Sequence, residues 1–92
     1  MKDEILIPDN FAVEEASQYR QELNEKIEKG EKDFTFNFSK CNFIDSTGLG
    51  VLVGIYKKCK ELNGNFKIHS INNPQVLKVF KLTRLDKVFG IE

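Results

Sequence analysis

The sequence predicts a small α/β domain built around a largely parallel sheet. Segments in which apolar and polar residues alternate take turns along the chain with segments in which apolar residues recur every three or four positions. The resulting order is β-α-β-α-β-α, and right-handed crossovers through helices join strands of that order into a parallel sheet. A chain of 92 residues supports one hydrophobic core, so we expect one domain over residues 1–92.

The first half of the chain contains a strand, a helix and a second strand. Residues 4–8 form an apolar strand candidate closed by a turn, in which Asp9 or Asn10 is expected to cap the following helix. Gly30 stands just past the end of that helix, where glycine favours termination. Residues 33–39 then alternate strictly, which predicts a strand with three phenylalanines on one face. The buried stripe expected of the helix is Val13, Ala16, Tyr19, Leu23 and Ile27.

The second half of the chain repeats this alternation. Residues 49–62 predict a second helix after the sequence Asp-Ser-Thr-Gly at 45–48, and residues 64–71 predict another strand. The Asn-Asn-Pro sequence at 72–74 predicts the start of a third helix, because proline is tolerated at the first helical position. The tail at 85–91 is compatible with a last turn of helix or with an edge strand.

Composition and charge exclude several classes of function. Fourteen basic and 14 acidic side chains cancel, so the chain lacks the basic surface with which proteins bind nucleic acid or anionic lipid. The apolar run at residues 5–7 is too short for a signal peptide or for membrane insertion, which predicts a cytoplasmic protein. Cys41 and Cys59 match no metal-binding spacing, so we expect reduced packing residues and no cofactor.

Residues 43–54 form the most unusual segment of the chain. Three glycines fall within seven residues at a predicted helix start, although each glycine in a helix interior costs roughly 1 kcal/mol relative to alanine. Gly50 and Gly54 share one helix face, which lets another backbone approach closely. Ser46 stands at the strand-to-helix junction, where its hydroxyl can cap the helix and where backbone N–H groups favour a phosphate. The residues alone leave both a capping and a regulatory role open for Ser46.

This segment resembles the signature of STAS domains in anti-sigma factor antagonists. The run Phe43-Ile44-Asp45-Ser46-Thr47-Gly48-Leu49-Gly50-Val51-Leu52 carries the resemblance, and residues 82–89 resemble the closing motif of the family. The similarity covers nearly the whole chain. It implies the STAS fold, in which a mostly parallel or mixed four-stranded sheet packs against helices.

The resemblance also implies a partner-switching mechanism. The unphosphorylated protein would bind an anti-sigma factor that is also a serine protein kinase, and would thereby free the sigma factor. Phosphorylation at the position carried over to Ser46 would switch binding off, and a serine phosphatase would restore it. Only the resemblance favours Ser46 over the adjacent Thr47 as the acceptor. The partner-binding residues that it implies are Asp45, Ser46, Thr47, Gly48, Leu49, Val51 and Leu52.

Three features depart from the family's pattern. The family usually begins with an extra strand, for which we expect no room before Glu4, and Ala12 ends a turn that has lost an acidic side chain of the family. Arg84 stands where the family often has glycine. The first two features motivate an alternative function, a STAS scaffold or an accessory subunit of a signalling or transporter assembly without phospho-switching.

An enzyme with Ser46 as nucleophile is a third class of function. A serine nucleophile needs an adjacent base and a third group that orients the base. His69 is the only histidine of the chain, and it falls within a predicted strand. We therefore expect a binding module and not an enzyme.

Overall fold

The computed structural model describes residues 4–91 of the chain. The expected lack of room for an extra strand before Glu4 concerns residues 1–3 and lies outside this part. The described residues form five strands and four helices in α/β order. These elements are β1 (Glu4–Leu6), β2 (Asn10–Phe11), α1 (Val13–Glu28), β3 (Asp33–Asn37), β4 (Phe43–Ile44), α2 (Ser46–Glu61), β5 (Asn65–His69), α3 (Pro74–Leu82) and α4 (Leu85–Val88).

The strand pairs of the described residues are all parallel and form two sheets. The larger sheet has the order β1-β3-β5, and β2 pairs with β4 in a short second sheet. The predicted α/β class is confirmed, but the strands are divided three and two instead of forming one four-stranded sheet. The division arises because the chain bends at Asp9 after β1 and turns at Ser39–Lys40 after β3, so that β2 and β4 pair separately.

The hydrophobic core lies between one face of the larger sheet and the helices. The phenylalanines at 34, 36 and 38 are at most 3% exposed, which confirms the predicted apolar face of this segment. Phe38 packs edge-on against Phe80 of α3, with ring centroids 5.6 Å apart. Phe66 of β5 packs against Phe89, with centroids 4.9 Å apart. Aromatic contacts therefore tie the sheet to the C-terminal helices.

Helix α1 begins later than predicted. Asn10 belongs to β2 and Asp9 to the preceding bend, and the residue at the helix boundary is Ala12, which has no side-chain cap. Val13 was predicted in the buried stripe, yet its side chain is 63% exposed. These predictions are wrong because pairing with β4 keeps the chain extended through Phe11. The remaining stripe lies in or against the core and consists of Ala16, Tyr19, Leu23 and Ile27.

The later helices agree with the sequence pattern. Asn73 caps α3, since its side-chain oxygen accepts hydrogen bonds from the backbone N–H groups of Gln75 and Val76 at 2.8 and 3.3 Å. Pro74 occupies the first helical turn, as predicted. The tail, which the sequence left open, forms the short helix α4. Within residues 4–91, no helix has the length and apolar character needed to cross a membrane.

The two cysteines are free and buried, which confirms that they are packing residues. Cys41 is 2% exposed and Cys59 is 1% exposed. Burial raises the pKa of both thiols, because a thiolate is poorly solvated in an apolar surrounding. Both side chains are therefore poor nucleophiles in the folded protein.

Arg84 joins α3 to α4 in a left-handed backbone conformation. Its φ is 63° and its ψ is 14°, a region that costs a residue with a Cβ atom roughly 1–2 kcal/mol. The backbone N–H of Arg84 donates to the carbonyl of Lys81 at 3.1 Å, and its side chain is exposed. The turn for which the STAS pattern favours glycine is therefore formed by arginine, with backbone strain.

We expect the substitution Arg84→Gly to raise the free energy of unfolding by roughly 0.5–1 kcal/mol. Relief of the left-handed strain exceeds the extra backbone entropy that glycine brings to the unfolded chain. Urea unfolding measures the change. The matched control is Lys81→Gly, which places glycine in ordinary helical backbone and should cost about 1 kcal/mol. A loss of stability in Arg84→Gly as large as that of the control would contradict the interpretation.

Candidate functional site

The short sheet of β2 and β4 brings two helix N-termini to the same edge of the molecule. Strand β2 leads into α1 and strand β4 leads into α2, and the two strands run parallel with Phe11 beside Ile44. Parallel neighbours end on the same side, so the helices that follow them also start there. The N-terminal end of each helix dipole is positive, which favours negative charge at this edge.

Asp45 caps helix α2, and Ser46 is its first residue. The side chain of Asp45 accepts a hydrogen bond from the backbone N–H of Gly48 at 3.0 Å. Asp45 is therefore the capping residue, and the capping role considered for Ser46 is wrong. The helix also starts three residues earlier than predicted, because this cap satisfies a free backbone donor of the first turn.

The hydroxyl of Ser46 is therefore not used by the fold. Its side chain is exposed, and it takes part in none of the side-chain hydrogen bonds found within residues 4–91. The first position of a helix also tolerates many residue types, because its N–H needs no intrahelical partner. Ser46 can accordingly be modified or replaced without loss of a structural contact.

Gly48 allows α2 to pack directly on β2. A Cβ atom at this position would lie 2.4 Å from the carbonyl oxygen of Phe11 and 2.9 Å from a side-chain carbon of Ile44. Both distances are too short for a real side chain, and the first involves backbone that cannot rotate away. The fold therefore requires the glycine of the signature at position 48. This residue is buried and has no side chain that a partner could contact.

Two of the predicted partner-binding residues lie in the core. Val51 is 4% exposed and Leu52 is 0% exposed. The helix turns these two side chains toward the sheet and away from solvent, and their part in partner binding stays a prediction. Leu49 also packs partly against the core, and Thr47 and Asp45 are half-buried.

The exposed side of α2 begins at Ser46 and continues through two glycines. Ser46, Gly50 and Gly54 follow one another at intervals of four residues, and all three are exposed. A Cβ atom at Gly50 or Gly54 would meet nothing within 4 Å. The fold itself therefore does not require glycine at these two positions, in contrast to Gly48.

Two apolar side chains near this edge are exposed, and both were missed as site residues. Phe43 of β4 is 53% exposed, and Val13 at the start of α1 is 63% exposed. The sequence contained a signal for Phe43, since Phe43 and Ile44 alternate in burial along a strand. We define the Ser46 surface as Ser46, Gly50, Gly54, Phe43 and Val13.

Hydrogen bonds between three loops hold this edge together. The side chain of Asn42 donates to the carboxylate of Asp9, and the backbone N–H of Asn42 donates to the carbonyl of Asp9 at 2.8 Å. The side chain of Asn73 in turn donates to the side-chain oxygen of Asn42 at 3.2 Å. The turn at Asp9, which departs from the family's pattern, is thereby fixed to the segment that precedes Phe43. No local pattern of residues indicated this network.

The only histidine of the chain is engaged elsewhere. Its Nε2 hydrogen-bonds to the carboxylate of Glu4, and its Nδ1 lies 2.8 Å from the hydroxyl of Ser70. The bond to Glu4 joins β5 to β1. This bond from His69, followed by that from Asn37, lowers the pKa of the Glu4 carboxyl. His69 thus forms no hydrogen bond with Ser46, and the described residues contain no serine–histidine pair at the Ser46 surface.

Comparison with known proteins identifies the class to which this arrangement belongs. The sequence model of the STAS domain family matches residues 7–92. The match covers nearly the whole chain, so the protein belongs to the STAS domain family, as the signature at residues 43–52 predicted.

Known members of the family support this assignment in sequence and in structure. The anti-sigma-B factor antagonist of Bacillus subtilis (strain 168) is 28% identical over 88 residues, which are 96% of this chain and 79% of the relative. The NMR structure of the protein TM1081 has a TM-score of 0.78 at 27% identity, over 95% of this chain and 72% of that one. The phosphorylated form of the Bacillus cell fate determinant SpoIIAA has the same fold, with a TM-score of 0.73 at 22% identity, over 89% of this chain and 74% of that one.

Substitution of the glycines by alanine should separate the two kinds of glycine in α2. We expect Gly48→Ala to lower the free energy of unfolding by about 2 kcal/mol, because the new methyl group collides with the Phe11 carbonyl. The matched variant Gly50→Ala should raise the free energy of unfolding by roughly 0.5–1 kcal/mol, because alanine favours the helix and has open space. Thermal and urea unfolding test both changes, and equal effects of the two variants would refute the assignment.

Proposed function

We propose that this protein is an anti-sigma factor antagonist that binds an anti-sigma factor through the Ser46 surface. We further propose that the partner is a serine kinase, that phosphorylation of Ser46 ends the complex, and that a serine phosphatase restores it. The observation that carries the proposal is the free, exposed hydroxyl of Ser46 at the start of α2, three positions after exposed Phe43 in the sequence. Membership of the STAS family and the likeness to the Bacillus subtilis antagonist support it.

The Ser46 surface has the composition of a small protein-binding site. Phe43 offers an aromatic side chain that is already half-exposed, and such residues contribute much of the binding energy of protein interfaces. Gly50 and Gly54 let the backbone or a bulky side chain of a partner approach α2 closely. The two glycines lower the stability of the helix. A binding role accounts for them, because a helix face without side chains lets a partner come close.

A phosphate on Ser46 is compatible with the fold but not with burial against a partner. It would add about −1.5 to −2 charges at the N-terminus of α2, where the helix dipole and free N–H groups favour an anion. Covering that charge with an apolar partner surface would cost desolvation energy without a compensating cation. Phosphorylation therefore changes affinity and leaves the structure of the domain in place.

We expect incubation with ATP and an anti-sigma factor kinase to add one phosphate to this protein. Ser46→Ala should remove the phosphate completely, whereas Thr47→Ala should retain it, because Ser46 is exposed and Thr47 is half-buried. Intact-mass measurement and mapping of the modified peptide decide between the two hydroxyls. A phosphate that persists in Ser46→Ala would assign the modification elsewhere.

The same experiment distinguishes the switch from the scaffold or accessory subunit. Ser46→Asp should unfold at the same temperature as the unmodified protein within a few degrees, yet bind the anti-sigma factor at least about ten-fold more weakly. A stable complex that is insensitive to both Ser46→Asp and phosphorylation would overturn the switch and favour the scaffold. Absence of any complex would overturn the proposed function itself.

Removal of the exposed aromatic ring should weaken the complex without affecting the fold. We expect Phe43→Ala to lower affinity for the anti-sigma factor at least about ten-fold, which corresponds to roughly 1.4 kcal/mol. The matched control is Leu82→Ala, which removes another exposed apolar side chain, on α3, and should leave affinity unchanged. Titration calorimetry measures both. Equal affinities of the two variants would remove Phe43 from the contact surface.

A further inference from the structure

Strand β5 leaves one edge of the larger sheet unpaired within residues 4–91. The backbone N–H of Asn65 donates to the carbonyl of Lys32, just before β3, at 3.0 Å. The carbonyl of His69 accepts from the backbone N–H of Phe38 at 3.0 Å. The backbone N–H and C=O groups of the odd-numbered residues of β5 therefore point toward β3. In a parallel ladder, those of the even-numbered residues point the opposite way. The backbone N–H and C=O groups of Phe66 and Ile68 are consequently directed at the free edge.

The opposite edge of the same sheet is partly covered. There, the hydroxyl of Tyr19 on α1 donates to the carbonyl of Leu6 in β1 at 2.8 Å. This bond occupies an acceptor that an additional strand on β1 would need. Among the described residues, the β5 edge is thus the better-exposed site for a further strand.

Two cavities follow the free edge of β5. The first has a volume of about 290 Å³ and is lined in part by Phe66 and Val88, and the second has a volume of about 440 Å³ and is lined in part by Ile68. Gly90 lines both cavities, so they form one groove between β5 and the C-terminal segment. We define the β5-edge groove by Phe66, Ile68, Lys60, Lys87, Val88 and Gly90.

The floor of the β5-edge groove contains aromatic rings that pack against one another. The Phe66 ring lies 5.4 Å from the Tyr56 ring and 4.9 Å from the Phe89 ring, which fixes its position. Val88 is 49% exposed at the rim, and Leu62 is 43% exposed at the end of the neighbouring helix α2. An extended segment lying in the groove would therefore bury apolar surface on the side that faces the floor.

The charges of the groove are all of one sign. Lys60 and Lys87 line it, and no carboxylate is found among the described residues that line either cavity. The ammonium group of Lys60 lies 5.5 Å from the centre of the Tyr56 ring, so the charge stands beside the apolar floor. This distribution complements a segment that turns both apolar and acidic side chains toward the groove.

We propose that the β5-edge groove binds an extended acidic and apolar segment of a partner protein as an additional strand. The backbone of that segment pairs with the N–H and C=O groups of Phe66 and Ile68. Alternate side chains of a strand point to opposite faces of the sheet, so every second side chain of the segment faces the groove. Apolar side chains at these positions pack against Phe66, and acidic ones reach Lys60 and Lys87. None of these residues belongs to the Ser46 surface, and the site is therefore independent of the proposed switch.

A second copy of this chain fits the groove less well than an acidic segment does. Symmetric pairing of two β5 edges would place the same patch of each copy against the other. The two lysines of one groove would then face the two lysines of its partner, with no carboxylate lining the described part of the groove to separate them. The charge distribution therefore favours a different polypeptide.

The test uses a fluorescein-labelled peptide of about eight residues whose groove-facing positions alternate valine and glutamate, with serine at the positions between them. It is compared with a peptide in which lysine replaces glutamate. We expect fluorescence anisotropy to show at least about ten-fold tighter binding of the glutamate peptide at low salt. Amide hydrogen exchange followed by NMR should show that the peptide slows exchange at Phe66 and Ile68. The amide of Lys67, which already bonds to β3, should change little.

Charge reversal provides the matched control. The double variant Lys60→Glu, Lys87→Glu should reverse the preference between the two peptides, whereas Lys57→Glu, Lys78→Glu, with the same net charge, should keep it. Equal binding of both peptides by the unmodified protein, or unchanged exchange at Phe66 and Ile68, would overturn the proposal. Protection of these amides that depends on protein concentration alone would also overturn it, in favour of self-association.

Discussion

The contact of Gly48 with the carbonyl oxygen of Phe11 is the constraint on which the functional end of this molecule depends. It sets helix α2 directly on strand β2, which in turn pairs with β4. Asp45 can then cap α2 one residue before Ser46. Ser46 is therefore the first residue of the helix, but its hydroxyl is not used for capping. A larger residue at position 48 would push the helix away from the strand and displace the cap, the serine and Phe43 together.

The distribution of stability within α2 follows from the same arrangement. One side of the helix is fully committed to the core through Val51, Leu52 and Ile55, which are at most 4% exposed. The other side contains Gly50 and Gly54, which lower helix stability and at which a Cβ atom would meet nothing within 4 Å. The helix is therefore held by its buried side, and its exposed side is free to be selected for binding.

The sequence predicted the elements whose patterns are local and missed the features that depend on pairing. The alternation of phenylalanines at 34–38 and the cap at Asn73 are decided within a few residues, and both were confirmed. The late start of α1 and the exposure of Val13 follow from pairing of β2 with β4, which joins residues more than 30 positions apart. Similarly, the signature at residues 43–52 does not tell which of its apolar residues are exposed, and Val51 and Leu52 face the core. The network from Asp9 to Asn73 joins three loops and leaves no pattern in any one of them.

Helix α2 also determines how the two proposed binding surfaces are related. Ser46 lies at its first turn and Lys60 in its last, and 14 residues of α-helix at 1.5 Å each place them roughly 20 Å apart along the axis. At that distance, beyond a Debye length at physiological salt, a phosphate on Ser46 is largely screened from Lys60. Coupling between the surfaces would require a second conformation of the packed helix, and its buried side opposes such a change. A partner held in the β5-edge groove would therefore remain bound while the phosphorylation state of Ser46 changes, so that the domain can stay anchored to one protein and exchange another.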